Sequence, residues 1–318
     1  MLRYVAHRIA LGLVSLLLLS MMIYAGAQLL PGNPGRLVLG REATPGAVAE
    51  FNHKLGVDRP LPVRYGDWLS HAVRGDFGNR YDDGRPVTDD LVPALKRSLL
   101  LTLYAFVLCI PVSVLAGVVA AMRRGRPEDR LITVTGLSLA VIPEFVLGAV
   151  LVTVFGPAFL KWFPGIAGAL IDASFFTKLK SLFLPALALA LVLFGYIARM
   201  TRAGTIEALD ADYTRTATLK GLPRSQVLLR HVIRNGILPT IAVVATQVGY
   251  LFGGIVAIEK LFGYPGVGFQ MLQAASIKNF PMLQASVLII GIVYFVATLT
   301  GDLLMAALNP RIRLTRHT

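Results

Sequence analysis

Few residues in this sequence are placed to do chemistry, and two of them are acids inside apolar runs. Glu144 follows Pro143 in the phrase Ile142-Pro143-Glu144-Phe145, midway along one hydrophobic stretch, and Asp302 lies near the end of another. A carboxylate at the centre of a membrane helix costs about 2.5–3.5 kcal/mol on insertion scales, so it must face a cavity or a partner. Two roles follow for Glu144. It either lines a pathway and meets a cationic or amine-bearing solute, or it bonds to backbone that Pro143 has freed. Asp302 is expected in an ion pair or a cap, since charges at span ends reach the interface cheaply. The histidines His7, His53, His71, His231 and His317 are scattered, and the single cysteine, Cys109, sits within an apolar run as a small hydrophobe. No His-Glu-x-x-His, paired cysteines or Gly-x-x-x-x-Gly-Lys-Ser/Thr phosphate loop occurs. The expectation is a chain with no catalytic residue, no metal site and no bound cofactor.

The other informative polar stretch runs from Arg199 to Pro239, between two apolar runs. Ile206, Leu209, Tyr213 and Ala217 recur at steps of three and four and are read as one helical face, with Glu207, Asp210 and Arg215 elsewhere. Gly221-Leu222-Pro223 then ends the helix, because glycine supplies a left-handed cap and proline starts a new helix more readily than it continues one. Val227, Leu228, Val232 and Ile233 give the second helix its apolar side. A solvated amphipathic loop on a membrane surface fits this pattern, and so does a docking element for another protein.

The elements that carry these residues follow from composition. The 318 residues are 55% hydrophobic and only 15% charged, whereas a soluble domain carries about 25% charged residues. Runs near 9–30, 98–122, 131–155, 182–198, 237–258 and 284–307 are each close to the ~17–25 residues needed to cross a bilayer. The fourth is short and contains Pro185, which predicts a kink or an earlier start. Ala25-Gly26-Ala27 resembles a signal-peptide cleavage site, but the apolar run continues to Leu30, which favours an uncleaved anchor. The fold class predicted is all-α, a polytopic membrane protein with six transmembrane helices. Its parts are an N-tail and first helix (1–30), a small extracytoplasmic insert (31–97), and a core (98–318) that includes the 199–236 polar loop.

A net charge of +13 raises nucleic-acid binding, but the basic residues border apolar runs and form no single stripe. They read instead as orientation and lipid-headgroup signals. Arg3 and Arg8, then Arg123, Arg124, Arg126 and Arg130, then Arg199, Arg202, Arg215, Lys220, Arg224, Arg230 and Arg234, and finally Arg311, Arg313 and Arg316 all fall on one side. Both termini and the polar loop are therefore expected in the cytoplasm. The 31–97 segment opens with Pro31-Gly32-Asn33-Pro34, a turn signal, and Val48, Phe51 and Leu55 suggest a helix within it. Between the fifth and sixth runs, Glu259-Lys260-Leu261-Phe262-Gly263-Tyr264-Pro265-Gly266-Val267-Gly268 predicts a re-entrant or tightly turned path, tolerated at membrane depth only where protein or a cavity covers it. A plain interfacial linker held by Tyr264 and Phe269 is the other reading. Gly249 and Gly253 form a Gly-x-x-x-Gly step that lets another helix approach, within this chain or from a second chain.

Several of these phrases together resemble the permeases of ABC importers, in the oligopeptide/dipeptide/nickel branch. The Glu-Ala-Ala-x-x-x-Gly loop of such permeases is matched by Arg215-Thr216-Ala217, Thr218-Leu219-Lys220 and Gly221, with the Glu replaced by Arg and the first Ala by Thr. Its Ile-x-Leu-Pro ending is missing, and Leu-Pro appears later as Leu238-Pro239. The opening Met1-Leu2-Arg3-Tyr4 with His7-Arg8, the Leu55-Gly56-Val57-Asp58-Arg59-Pro60-Leu61 phrase, Arg74-Gly75-Asp76-Phe77-Gly78, Ile142-Pro143-Glu144-Phe145 and Asn309-Pro310-Arg311 also resemble the branch.

The resemblance implies the type I importer permease fold in a bacterial cytoplasmic (inner) membrane. It implies that Tyr213, Arg215, Thr216, Ala217, Lys220, Gly221, Leu222 and Pro223 form the loop that couples to the ATPase. Glu259, Phe262, Pro265, Gly266 and Gly268 are the candidate external gate, and Glu144 is the candidate pathway residue. The implied partners are a second homologous permease, one or two ABC ATPase subunits that bind ATP and Mg, an extracytoplasmic substrate-binding protein and membrane lipid, with no nucleic acid. Peptides or related small solutes are the implied cargo, with a nickel or other metal chelate or glutathione as alternatives. A proton- or ion-coupled secondary transporter using Glu144 is the rival from another class. It predicts an internal repeat between halves, and none is clear in the sequence.

Overall fold

In the computed structural model the residues described are 2–29, 33–40, 42–54, 56, 58–171 and 173–308. The Pro31-Gly32 turn, Leu55 and Val57, Asn309-Pro310-Arg311 and the basic residues Arg313 and Arg316 lie outside them.

The chain is helical throughout the described residues, apart from turns and one isolated bridge between Asn79 and Pro86. The helices are α1 (Leu2–Leu29), α2 (Pro34–Leu39), α3 (Pro45–Lys54), α4 (Leu61–Ala72), α5 (Val87–Met122), α6 (Pro127–Val141), α7 (Glu144–Phe155), α8 (Phe175–Asp210), α9 (Asp212–Leu219), α10 (Arg224–Val227), α11 (Arg234–Gly236), α12 (Leu238–Leu261), α13 (Val267–Ile277) and α14 (Phe280–Leu308). A π-helical turn, Leu228–Ile233, joins α10 to α11. Among the described residues, five helices are long and apolar enough to cross a membrane, or six if α6 and α7 together make one broken span.

That broken span is the clearest departure from the sequence reading. The 131–155 run is not one helix: α6 and α7 meet at a bend of 102°. Ile142 and Pro143 both adopt extended ψ values, 127° and 138°. Proline restricts the residue before it to extended backbone and offers no N–H to continue the ladder, so α6 ends there and α7 starts afresh at Glu144. The 182–198 run does start earlier, as Pro185 suggested. It is part of α8, whose 36 residues carry Pro185 inside the helix.

The described residues divide into two compact units. The first lies within Met1–Val5, Leu100–Tyr264 and Val296–Thr318. Its centre is α8, the most buried of the spanning helices. Leu182, Leu184, Leu189, Leu193 and Ile197 are fully covered, and α6, α7 and α12 pack around them. The Thr201 and Thr240 hydroxyls, both buried, meet at 3.0 Å and fix the register of α8 against α12. The outer surfaces are apolar instead of charged, with Leu103, Val107 and Leu115 of α5 all more than half exposed, as expected of a protein whose solvent is lipid.

The second unit comprises Ala6–Leu99 and Pro265–Phe295. Val87, Leu91 and Ala94 of α5 pack with Val267 and Ala274 of α13 and with Met282 and Ala285 of α14. Tyr24 of α1 meets Tyr65 and Trp68 of α4 at ring-centroid distances of 5.6 and 5.4 Å. Arg80 gathers Asp82, Asp83 and Asp90 around its guanidinium, and Asn279 Nδ2 donates to Asp82 Oδ1 at 2.7 Å. The helix α13 is absent from the sequence reading, which saw only the turn-forming residues before it.

Candidate functional site

The polar stretch between α8 and α12 is a knuckle built on a small core of its own. The helix α8 continues to Asp210, and Ala211 then takes an extended conformation (φ −75°, ψ 146°) that starts α9. The break re-aims the helical face. The buried positions of α9 are Thr214 and Ala217, while Tyr213, read as sharing one face with Ala217, is 43% exposed. Thr214 Oγ1 donates to the Ala208 carbonyl at 2.6 Å and so ties α9 to the end of α8. Asp212 in the first turn faces the positive end of the α9 dipole.

The other end of α9 closes as the sequence predicts. Gly221 has φ +75°. Its N–H donates to Thr218 O at 3.0 Å, and the Leu222 N–H donates to Ala217 O at 3.4 Å. These are the paired bonds of a Schellman cap, which needs a left-handed residue at the position Gly221 holds. The accompanying apolar contact is present too: Ala208, Ala217, Val227 and Val232 form one buried cluster, with Leu209, Leu222 and Leu228 against it. Pro223 then precedes α10. Ala217, Gly221 and Leu222 thus hold the knuckle together. Tyr213, Arg215, Thr216, Lys220 and Pro223 present their side chains outward, as does Leu219, which is 80% exposed.

A buried ion pair anchors the α8 segment that leads into the knuckle. Arg202 donates to Asp129 through Nε at 2.6 Å and Nη2 at 2.8 Å. The Asp129 carboxylate also accepts from Gly125 N–H at 2.9 Å, and Asp129 is only 4% exposed. Neither residue stands out in the sequence, because they are far apart and both read as ordinary interfacial charges.

Glu144 sits at the first position of α7, half-buried at the bend. Among the described residues its carboxylate has no hydrogen-bond or ion-pair partner, and it makes no bond to the backbone that Pro143 frees. It packs on α12 at Gly254, where a Cβ would lie 2.4 Å from Glu144 Oε1. Gly253, read with Gly249 as the close-approach step, has nothing within 4 Å of its would-be Cβ, so the intrachain approach falls one residue later. Further along the same helix pair, α7 packs against Ile258 and Phe262 through Gly148.

The 259–268 segment comprises the end of α12, the residues Phe262–Gly266 and the start of α13. In the first unit, Glu259 and Phe262 are completely buried. The Tyr264 N–H donates to Glu259 O at 2.8 Å, and Phe262 O accepts from Ala167 N–H at 2.9 Å. In the second unit, Pro265 O accepts from Arg97 Nη1 at 3.2 Å, and Val267 N–H donates to Ser98 Oγ at 2.8 Å. Gly266 precedes α13, and Gly268 is buried within its first turn. Asp302 is half-buried on α14 and has an interaction partner.

Comparison with known proteins places this architecture. Residues 113–314 match the family described as binding-protein-dependent transport system inner membrane component, and residues 1–86 match the N-terminal region of such components. The chain belongs to this family of ABC importer permeases. It is 34% identical over 314 residues to the glutathione transport system permease protein of Escherichia coli K12, covering 98% of this chain and 99% of that one. The corresponding protein of Salmonella typhimurium is 33% identical over 317 residues, with the same coverage. A solved structure of an amino acid ABC transporter with histidines is 20% identical, with a TM-score of 0.46, covering 70% of this chain and 94% of that one. The permease is a multi-pass protein of the bacterial inner membrane and a transport subunit that works with other ABC subunits.

Proposed function

We propose that this permease forms one half of a translocation pathway with a second homologous permease, and that its α9 knuckle seats on a separate ATPase subunit that holds ATP and Mg. One observation carries the reading. The knuckle is folded by its own core, yet Tyr213, Arg215, Thr216, Leu219, Lys220 and Pro223 are left facing outward. A greasy side chain as exposed as Leu219 on a basic knuckle is the pattern of a docking surface, in which an apolar anchor is ringed by polar contacts. Ala217, Gly221 and Leu222 support it from below.

The same reading puts both termini and the knuckle in the cytoplasm, following the distribution of arginines. The 31–97 insert and the extracytoplasmic binding protein then lie on the other side. Glu144 faces the pathway, since its carboxylate is unpartnered at membrane depth among the described residues. The Glu259–Gly268 segment, with Phe262, Pro265 and Gly266, belongs to the external gate. Glutathione or a related small peptide is the cargo favoured by the full-length likeness to glutathione permeases.

The test is to express the whole importer with Leu219→Asp or Tyr213→Ala in this subunit and to measure co-purification of the ATPase. Loss of the ATPase, with the permease still inserted at normal level, is the expected result. Full retention of the ATPase and full uptake in both variants would place the docking surface elsewhere.

A further inference from the structure

We infer that Glu144, Tyr196 and Tyr250 form a station for an organic ammonium group within the permease. The inference rests on the reading of Glu144 as a pathway residue and adds the chemistry of what it receives. Tyr196 of α8 and Tyr250 of α12 are neighbours, with ring centroids 6.4 Å apart and ring planes inclined at 52°. They are 45% and 46% exposed. Tyr250 and Gly254 are four residues apart and share one face of α12, and Glu144 packs on Gly254. Glu144 is also within electrostatic reach of Tyr250. One carboxylate and two tyrosine rings thus converge at the bend between α6 and α7.

Depth makes this cluster informative. The Thr201–Thr240 contact sets a common level for α8 and α12. From that level Tyr196 lies five residues outward along α8, about 7.5 Å, and Tyr250 ten residues along α12, about 15 Å, at 1.5 Å per residue. Both rings therefore fall within the membrane-spanning length of their helices. Two half-exposed tyrosines near a carboxylate that has no hydrogen-bond partner among the described residues do not suit hydrocarbon, and intramembrane acids mark polar pathways.

The donor set then selects the ligand. Tyrosine faces attract cations, and Glu144 supplies the countercharge. No lysine or arginine pairs with it among the described residues. No grouping of three or more metal-binding side chains occurs among the described residues either. A single carboxylate flanked by two aromatic rings suits a primary or quaternary ammonium, such as the free amino group of a small peptide, better than a divalent cation.

The experiment uses the assembled importer with Cys109→Ser as background and Tyr196→Cys or Tyr250→Cys introduced singly. Each is treated with trimethylammonium-ethyl methanethiosulfonate and with sulfonato-ethyl methanethiosulfonate, with and without ATP. Both cysteines are expected to react in at least one nucleotide state. The cationic reagent should be favoured by about tenfold over the ratio seen at a free thiol, as a nearby carboxylate of low solvent screening dictates. Glu144→Gln should bring the ratio back to the free-thiol value, and Glu144→Asp should keep the preference. Two positions are used so that a variant that fails to assemble leaves the other to decide. Failure of both reagents at both positions in every nucleotide state would remove the cluster from the pathway and sink the underlying reading. Reaction at a charge ratio indifferent to Glu144→Gln would leave the pathway reading standing and overturn the ammonium station alone.

Discussion

The guanidinium of Arg202 grips the carboxylate of Asp129 with two donated hydrogen bonds, Nε at 2.6 Å and Nη2 at 2.8 Å, across the α6–α8 contact. The side chains are 6% exposed for Asp129 and 29% for Arg202. The pair joins the turn that opens α6 to the stretch of α8 that ends at the knuckle.

Asp129→Asn should therefore be costly, because it leaves a largely buried guanidinium without its countercharge. Breaking such a pair from one side destabilises by about 3 kcal/mol or more. The expected outcome is a lower unfolding temperature of the purified importer and weaker stimulation of ATPase by cargo. The double variant Asp129→Asn/Arg202→Met, with no orphan charge, should recover part of the loss. Equal unfolding temperatures for Asp129→Asn and the parent would show that the pair is not structural.

Gly221→Ala should strain the Schellman cap, since a non-glycine residue in the left-handed region costs roughly 1–2 kcal/mol. Thr214→Val should cost about 1 kcal/mol through the lost bond to Ala208 O. Both loosen α9 without touching the spans. Limited proteolysis in membranes should show faster cleavage between Ala211 and Arg224, with the spanning helices intact. Cleavage at the parental rate in both variants would mean that the cap and the threonine tie contribute little.

Gly254→Ala should displace Glu144, because the added methyl would lie 2.4 Å from Oε1. Gly253→Ala, next to it, has open space and should be tolerated. Uptake in cells expressing the whole importer is expected to fall several-fold in the first variant and to stay near the parental level in the second. The reverse order would contradict the packing of α7 on α12.

The Arg80 cluster carries a pH dependence of definite sign. The Arg80 guanidinium donates to Asp82 and holds its carboxyl below the usual aspartate range. A group whose pKa is depressed on folding adds stability above its unfolded pKa, near 3.9, and that contribution is lost as pH falls through the lower folded value. Thermal unfolding followed from pH 7 to pH 3 should thus show a drop confined to the acidic end, and Asp82→Asn should flatten it. A drop centred near pH 6 would point to a histidine instead.

Much of this arrangement is legible in the sequence where a residue's own backbone chemistry decides the outcome. Gly221-Leu222-Pro223 gives the end of α9 and the start of α10, because glycine and proline act locally. The short fourth run with Pro185 in it points to a kink or an earlier start, and the helix does start earlier, at Phe175. Where neighbours decide, the sequence is silent. Ala211 has the highest helix propensity of any residue, so nothing in its type announces a break, and the face assigned to Tyr213 is wrong for that reason. Pro143 is visible, but a bend of 102° and a gentle kink read alike in one dimension. The density of turn residues from Gly263 to Gly268 hides α13, which follows directly. The contacts of Asp129 with Arg202, and of Tyr196 with Tyr250, join residues on different helices, and no periodicity encodes them.

Unbroken winding from Phe175 to Asp210 has a mechanical corollary. At 1.5 Å per residue α8 is a rod of about 54 Å, longer than the ~30 Å hydrocarbon slab it crosses. Pinned at Arg202, such a rod would pivot there like an oar in a rowlock. A push near Asp210, eight residues and about 12 Å from the pivot, would carry Tyr196, six residues and about 9 Å beyond it, in the opposite sense by a slightly smaller stroke, and the far end at Phe175 by a larger one.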